Sequence, residues 1–324
     1  MVELLTKKQL DDYFLRDEYS ASFLKMVLEG RIFKKESSSL SLGSMVDCLI
    51  LTPDLFNDYY LIPLVVPSDN EIAILKLMPE FTEDCARDAF AIFKEKNPDA
   101  VEKTWINKVM KHVAYHSILL EEKDNRKIVS YSDVRDSAKM AEVFKNSQFK
   151  DIFKGCWKQV LCTGRISIDI TEDDMPLRGL IDAIDLDINN NKVTIYDLKT
   201  HNGTRNMFFQ NIKKFRYDLS ASLYMYLIRQ YLLKEGIETP ETPLSYTFKW
   251  VVVTENDCYT VEATPNDLHV GRFGTQISPK YHVKGFEDAL INVRTAKNLG
   301  MSKFDFDIEA TLCNKQFSTN DVWK

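Results

Sequence analysis

Residues 177–200 read LRGLIDAIDLDINNNKVTIYDLKT, and the fold turns on how this stretch folds back on itself. Two β-patterned runs flank the asparagines Asn189, Asn190 and Asn191, which reads as a hairpin. Near the end of the second run lies Asp197-Leu198-Lys199. Side chains two apart on a strand project to one face, so Asp197 and Lys199 point together. A two-residue loop at Asn189-Asn190 sets Asp182 opposite Asp197. Moving the loop to Asn190-Asn191 sets Asp182 opposite Lys199, on the same face still. A three-residue loop spoils the arrangement unless a bulge restores the register.

Two acids and a lysine on one face describe a metal site with an attached amine. Mg²⁺ prefers oxygen ligands, commonly one or two carboxylates with waters and substrate phosphate. Such an ion lowers the pKa of its water and neutralises charge on an attacked phosphodiester. A nearby lysine orients that water or stabilises the charge that develops. The spacing by itself is common: Glu121-Glu122-Lys123 repeats it in a polar run with the look of a solvated loop. Strand context and the facing Asp182 set the triplet at 197–199 apart.

Outward from the hairpin, His201, Arg205, Lys213, Lys214 and Arg216 make a basic segment placed to meet phosphates. A helix follows over Asp218 to Lys234, ending at Gly236, with Ser220 and Tyr224 one turn apart on one face. Leu244 to Val253 and Cys258 to Ala263 read as a second hairpin turning at Glu255-Asn256, and Phe286 to Leu299 as a helix. Upstream, strand character begins near Lys158, with Gln159 to Leu161 and Arg165 to Ile170 alternating. Phe81 to Phe149 is mainly helical and charged, with Ser132 a cap for Asp133 to Phe144. Lys103, Lys108, Lys111 and His112 form a basic stripe there or, more simply, a solvated helix face. Ala21 to Glu29 reads as a helix ended by Gly30, and SLGSMVDCLILTP as a helix stopped by Pro53. Asp47 stands among Met45, Val46, Cys48, Leu49 and Ile50. A buried carboxylate there wants a cation or several donors, and Gly43 one turn earlier leaves room for one. The plainer reading puts Asp47 on the polar side of an amphipathic helix.

The 324 residues are 44% hydrophobic, enough for a sizeable core, and no apolar run is long enough to cross a bilayer. The start, MVELLTKKQLDDYF, lacks the apolar centre of a signal peptide, which reads as cytoplasmic. Six scattered cysteines with no C-x-x-C pair argue against a disulfide framework or a zinc ribbon. With a net charge of −6, any contact with nucleic acid depends on a local basic surface. The order of elements gives one α/β domain over 1–324. Within it, residues 1–150 are a mainly helical part contributing Asp47, and 151–324 hold the catalytic sheet and C-terminal helices.

With those residues in view, the chain resembles the PD-(D/E)XK superfamily, and within it the RecE-like, exodeoxyribonuclease VIII-type enzymes of phages and prophages. YSASFLKMVLEG resembles that group's opening helix, and SLSLGSMVDCLILTPDLFNDYYLIP its G-x-x-x-H helix with the segment after it. IVSYSDVRDSAKMAEVF is similar to the helix before the core. RGLIDAIDLD and IYDLKT are similar to the catalytic strand pair, YDLSASLYMYL to a Q-x-x-x-Y helix, and FKWVVVTENDCYTVEATPNDL to the closing hairpin. The resemblance implies a restriction-endonuclease-like α/β core, a mixed sheet flanked by helices with an N-terminal helical elaboration.

It further implies a two-metal deoxyribonuclease using Mg²⁺, or Mn²⁺ in its place. Asp47, Asp182, Asp197 and the Leu198 carbonyl would be ligands, with Lys199 beside the attacking water. The implied activity is an exonuclease on duplex ends, 5′ to 3′, in phage-type recombination. Partners would be DNA, a single-strand annealing recombinase and, as a ring, further copies of the chain. Three positions depart from the family pattern. Asp47 stands where a histidine is usual, Gln159 where many relatives have glutamate, and Ser220 where the glutamine of Q-x-x-x-Y belongs, while Tyr224 is kept. Only Cys258 and Cys313 follow the core, so no iron–sulfur cluster is expected. The alternatives are an endonuclease, a single-strand or flap nuclease, and a degraded DNA-binding scaffold.

Overall fold

A computed structural model describes residues 2–4, 18–29, 38–63, 65–120, 126–168, 174–279 and 281–298. The expectations for Gly30, the Glu121-Glu122-Lys123 triplet, Leu299 and Cys313 lie outside them. The chain divides into two compact units, Met1–Leu51 with Lys139–Lys324, and Thr52–Ala138.

The first unit holds β1 (Val2–Leu4), α1 (Ala21–Glu29), α2 (Ser38–Leu51) and part of α3 (Tyr131–Lys145). It continues with β2 (Trp157–Ile166), β3 (Met175–Asp187), β4 (Lys192–Thr200), α4 (Arg205–Lys214) and α5 (Tyr217–Lys234). After these come β5 (Ser245–Val253), β6 (Cys258–Glu262), α6 (Pro265–Phe273), the short pair β7 (Thr275–Ser278) and β8 (Tyr281–Val283), and α7 (Phe286–Asn298). Strands β1 to β6 lie in that order in one mixed sheet, antiparallel throughout except for the parallel pair β4–β5. A parallel pair needs a crossover, which α4 and α5 supply. The expected mixed sheet flanked by helices is the architecture found.

The central hairpin keeps the register of a two-residue loop although its loop is longer. Residues Ile188–Asn190 form a 3₁₀ turn, and Asn191 adopts φ +51°, a conformation asparagine tolerates. Asp187 caps the turn by accepting from the Asn190 backbone N–H at 3.2 Å. A four-residue loop over 188–191 has the same centre as a two-residue loop at 189–190. Asp187 therefore pairs with Lys192 and Ala183 with Tyr196.

Alternation along β4 and β5 feeds two cores, one on each face of the sheet. Val193, Ile195, Trp250 and Val252 join α1, α5 and α7 on one side. Tyr196, Leu198, Val251 and Val253 join Val46, Ile50 and Leu51 of α2 and Met140 and Phe144 of α3 on the other. Strand β5 is covered on both sides, which is why SYTFKWVVV ends as a continuous apolar run. Composition changes from helix-rich to strand-rich near residue 150, whereas the packing groups α2 with the sheet.

Most element bounds follow the sequence closely. Helix α1 spans 21–29, α2 ends before Pro53, and the β5–β6 turn falls between Val253 and Cys258. Helix α3 is an exception: Ser130, not Ser132, caps it, with its Oγ accepting from the Asp133 N–H at 3.1 Å. Two serines in an S-x-S run look alike in sequence, and the one that stays outside the first turn does the capping.

The second unit is helical, with helices Asp69–Leu75, Glu83–Lys96, Glu102–Val109 and Val113–Leu120 around Ile74, Met78, Phe90, Phe93 and Val109. Its basic positions Lys103, Lys108 and Lys111 are exposed, and Lys108 lies 4.6 Å from the Trp105 ring centre. His112 is half-buried, 3.8 Å from Glu71.

Candidate active site

Where the β3–β4 ladder ends, Asp182 and Asp197 occupy the next level of the register. There the ladder gives way to a side chain: Asp182 Oδ2 accepts the Leu198 backbone N–H at 2.7 Å. On its other side Asp182 Oδ1 meets the Gln159 amide at 3.5 Å. Gln159 carries φ +49° inside β2, a left-handed conformation that costs a non-glycine residue about 1–2 kcal/mol.

That distortion has a local logic. Trp157 and Val160, three residues apart, pack into one core, as do Ile181 and Ile184. Face alternation therefore slips by one residue on both strands, at Gln159 and at Asp182. Because both slip at the same level, pairing continues unshifted from Lys158–Ala183 to Val160–Ile181.

Lys199 closes the cluster. Its Nζ lies 2.7 Å from Asp197 Oδ2 and 3.2 Å from the Leu198 carbonyl oxygen, so the ammonium rests on two oxygens a divalent cation would use. Helix α2 supplies Asp47 from the opposite side. Gly43 lets α2 approach β4, since a Cβ there would lie 3.2 Å from Thr200 Oγ1, and Asp47 follows one turn later. Asp47 Oδ1 is buried with no hydrogen-bond partner.

The electrostatics follow from crowding three acids away from bulk water, Asp197 buried and Asp47 and Asp182 half-buried. Burial, then the charge of Asp182, holds Asp47 well above the usual carboxylate range, with Lys199 pulling it back. Burial and Asp197 push Asp182 up to about 7, against Lys199 and the hydrogen bonds from Leu198 and Gln159. For Lys199, burial is outweighed by Asp197 and Asp182, and its pKa sits above the ordinary lysine value. Three carboxylates against one ammonium is a site short of positive charge. Among the described residues, no three His, Cys, Asp or Glu side chains converge as a ready-made metal group, with Lys199 seated on Asp197. The donor set nonetheless suits a hard cation: carboxylate oxygens, a backbone carbonyl, and one buried oxygen without a donor.

Sequence reasoning overlooked Lys25 and Tyr217. The Tyr217 ring has Lys199 Nζ at 5.6 Å from its centre and Lys25 Nζ at 5.5 Å. Burial and the nearby Lys199 lower Lys25 to about 8, despite Asp197 and Asp218. The signal was available, because Lys25 is a lone cation among apolar neighbours in ASFLKMVLE, as Asp47 is a lone acid in α2.

The remaining candidates are spread along the elements that follow. His201 is buried, its ring held between the Thr204 carbonyl at 3.2 Å and the Asn211 amide at 3.3 Å. Arg216 is turned onto buried Asp218, with Nη2 3.0 Å from Oδ2. Arg205, Lys213 and Lys214 are exposed on α4. Tyr224 lies over Gly179 of β3, where a Cβ would come 2.7 Å from its ring. Ser220 is half-buried, and it is Ser222 that ties α5 to α6, donating to the Leu268 carbonyl at 2.6 Å. Cys85, Cys156, Cys162 and Cys258 are free thiols.

Among solved structures, the chain is similar to a protein from Eubacterium rectale described as a "Putative exonuclease". That likeness has 14% identity and a TM-score of 0.44, covering 95% of this chain and 87% of the other. A second, SSO0001, shows 11% identity and a TM-score of 0.26 over 90% of this chain and 84% of the other. No curated protein matches. A family model described as "PDDEXK-like domain of unknown function (DUF3799)" matches residues 14–244, which takes in Asp47, Gln159, Asp182, Asp197, Lys199 and Tyr217. That match covers most of the chain, and the protein belongs to this family of PDDEXK-like domains.

Proposed function

We propose that the protein is a divalent-metal-dependent deoxyribonuclease, and in finer detail a Mg²⁺-dependent exonuclease acting from duplex ends, 5′ to 3′. The observation that carries this reading is the grouping of buried Asp197 and half-buried Asp47 and Asp182 around Lys199, in a chain of a PDDEXK-like family. The order of motifs, similar to that of RecE-like enzymes, supports the choice of DNA ends and a recombination role. On the same ground a single-strand annealing recombinase is the proposed partner, a homo-oligomeric ring the proposed assembly and the cytoplasm the proposed compartment.

Asp182, Asp197, Asp47 and the Leu198 carbonyl would hold Mg²⁺ or Mn²⁺. When bound, the ion supplies Lewis-acid stabilisation of the phosphodiester and a more acidic water. The residues of the chain do the rest. Lys199, its ammonium on Asp197 Oδ2 and the Leu198 carbonyl oxygen, would position or activate the attacking water or donate a hydrogen bond to the phosphate oxygens. The Leu198 N–H and the Gln159 amide fix the Asp182 carboxylate from two sides. Asp47, with its unsatisfied oxygen, closes the site from α2.

Digestion of a linear and a covalently closed duplex of one sequence, with Mg²⁺, Mn²⁺ or EDTA, tests the reading alongside Asp197→Ala. Loss of the linear form alone, dependent on metal and on Asp197, is expected. Cutting of the closed circle would replace it with an endonuclease. No cleavage of duplex, single strand or RNA would leave a binding protein.

A further inference from the structure

Lys25 belongs to a helix far from the catalytic strands in sequence, yet it reaches the same ring as Lys199. Phe23, Leu24 and Val27 anchor α1 in the core, and Lys25, between them in sequence, is half-buried. Its Nζ lies 5.5 Å from the centre of the Tyr217 ring, and Lys199 Nζ lies 5.6 Å from the same centre. Two ammoniums thus share the tyrosine that begins α5.

The charges that act most strongly on Lys25 are Lys199 and Arg216, which oppose its own, and Asp197 and Asp218, which favour it. Both acids are already engaged. Asp197 Oδ2 lies 2.7 Å from Lys199 Nζ, and Asp218 Oδ2 lies 3.0 Å from Arg216 Nη2. An ammonium that gives up hydration ordinarily gains a carboxylate in return. Lys25 gains a ring, a weaker exchange, and lost solvation lowers its pKa to about 8. Its side chain also lines a cavity of about 580 Å³ between α1, α4, the start of α5, α6 and the β7–β8 pair. Acids line that cavity too. Asp218 is held by Arg216, Asp267 accepts the Thr264 N–H at 2.9 Å as part of the α6 cap, and Glu29 is exposed at the end of α1.

We infer that Lys25 is a substrate-binding lysine, whose ammonium takes a backbone phosphate of the bound DNA beside the one met by Lys199. The inference rests on the nuclease reading and deepens it, adding a cation from α1 to a site crowded with acids. A phosphate oxygen is the charged acceptor that Asp197 and Asp218, each paired elsewhere, do not supply.

Equilibrium binding of a labelled duplex of about 20 base pairs to the full chain in EDTA, from about 50 to 200 mM salt, tests this. Lys25→Met keeps the stem and removes the charge; Lys25→Gln removes the charge and stays polar. Both should weaken binding about threefold or more at low salt, and make the slope of log affinity against log salt shallower by about 0.9, the share of one phosphate. Lys25→Arg should restore both. Duplexes with 5′-hydroxyl and 5′-phosphate ends should respond alike, since they share the backbone. Unchanged affinity and slope, an equal loss at every salt concentration, or no DNA binding by the wild type would overturn the inference. An effect confined to the 5′-phosphorylated duplex would overturn it too, by assigning Lys25 to a terminal phosphate. Absence of cleavage with the slope change intact would remove the nuclease reading alone, and cleavage with unchanged slopes the inference alone.

Discussion

Of the three aspartates near the end of strand β3, Asp182, Asp185 and Asp187, the first and the last do opposite things. Asp187 stands at the turn, where the side chain and backbone N–H of Asn190 hold its carboxyl below the usual range. Asp182, five residues earlier, is half-buried beside buried Asp197, and lost solvation and that neighbour push its carboxyl up to about 7. Residue type, strand and pairing partner β4 are shared. What differs is the number of donors offered and the amount of water removed. At the turn the charge is welcome and closes a loop; inside, the charge is unfavourable, and the proposed function gives it a use. A carboxylate held against its own stability is a candidate for function, whereas one held by ordinary capping marks a turn.

The largest effect expected from this contrast is on turnover. Lys199→Ala should lower cleavage by about 10²–10³-fold or more, while metal and DNA binding persist. Single-turnover cleavage with parallel binding isotherms would check it. Full activity would remove Lys199 from the mechanism and leave the inner end of the hairpin as inert as the outer. Asp47 comes next. Asp47→His should keep metal-dependent activity with a stronger preference for Mn²⁺. Asp47→Leu should lose most activity and gain on the order of 1 kcal/mol of stability, as a buried oxygen without a donor disappears. Equal activity in wild type and Asp47→Leu would show that Asp47 is no ligand.

Why the inner end was readable and its details were not is a matter of what period-2 patterns encode. Alternation and the Asn-rich turn announce the hairpin, and the sum rule survives a longer loop because only the loop's centre matters. Asp182, Asp197 and Lys199 therefore meet in the fold as the spacing suggests. The slip at Gln159 and Asp182 is a backbone event, and nothing in KQVLC or LIDAI advertises a left-handed glutamine. Charge composition likewise gives sign without direction. His201 and Arg216 read as phosphate contacts in sequence, yet one is wedged between Thr204 and Asn211 and the other is spent on Asp218. Lys25 stands out in the sequence as a lone cation, but its place beside Lys199 needed the fold, because only the sheet brings α1 and α5 to the same ring.

A smaller effect separates the two aspartates by pH. Asp182 has a folded-state pKa above its unfolded value, so the folded, metal-free protein binds the extra proton between roughly pH 4 and 7. Its contribution to stability is therefore fully present at the acid end of that window and is lost as pH rises through about 7. Asp182→Asn keeps an acceptor for the Leu198 N–H and removes the titration. In EDTA it should flatten the fall in melting temperature between pH 5 and 8, while abolishing cleavage. An unchanged pH profile would mean that Asp182 is ionised throughout and that burial is not what distinguishes it.

The smallest effect belongs to the turn, and it has the opposite sign. Asp187 has a lowered carboxyl pKa, so its contribution is present above the unfolded value and fades as pH falls below about 4. Asp187→Ala removes the acceptor for the Asn190 N–H and amide but leaves Asn191 free to keep its left-handed conformation. The register is also set by the buried residues along β3 and β4, so the hairpin should still form. A slight drop in melting temperature at pH 7, shrinking toward pH 3, with cleavage unchanged, is the expected result. Loss of cleavage in Asp187→Ala would mean that the turn, and not the paired core, holds Asp182 opposite Asp197, and the division of labour along β3 would collapse.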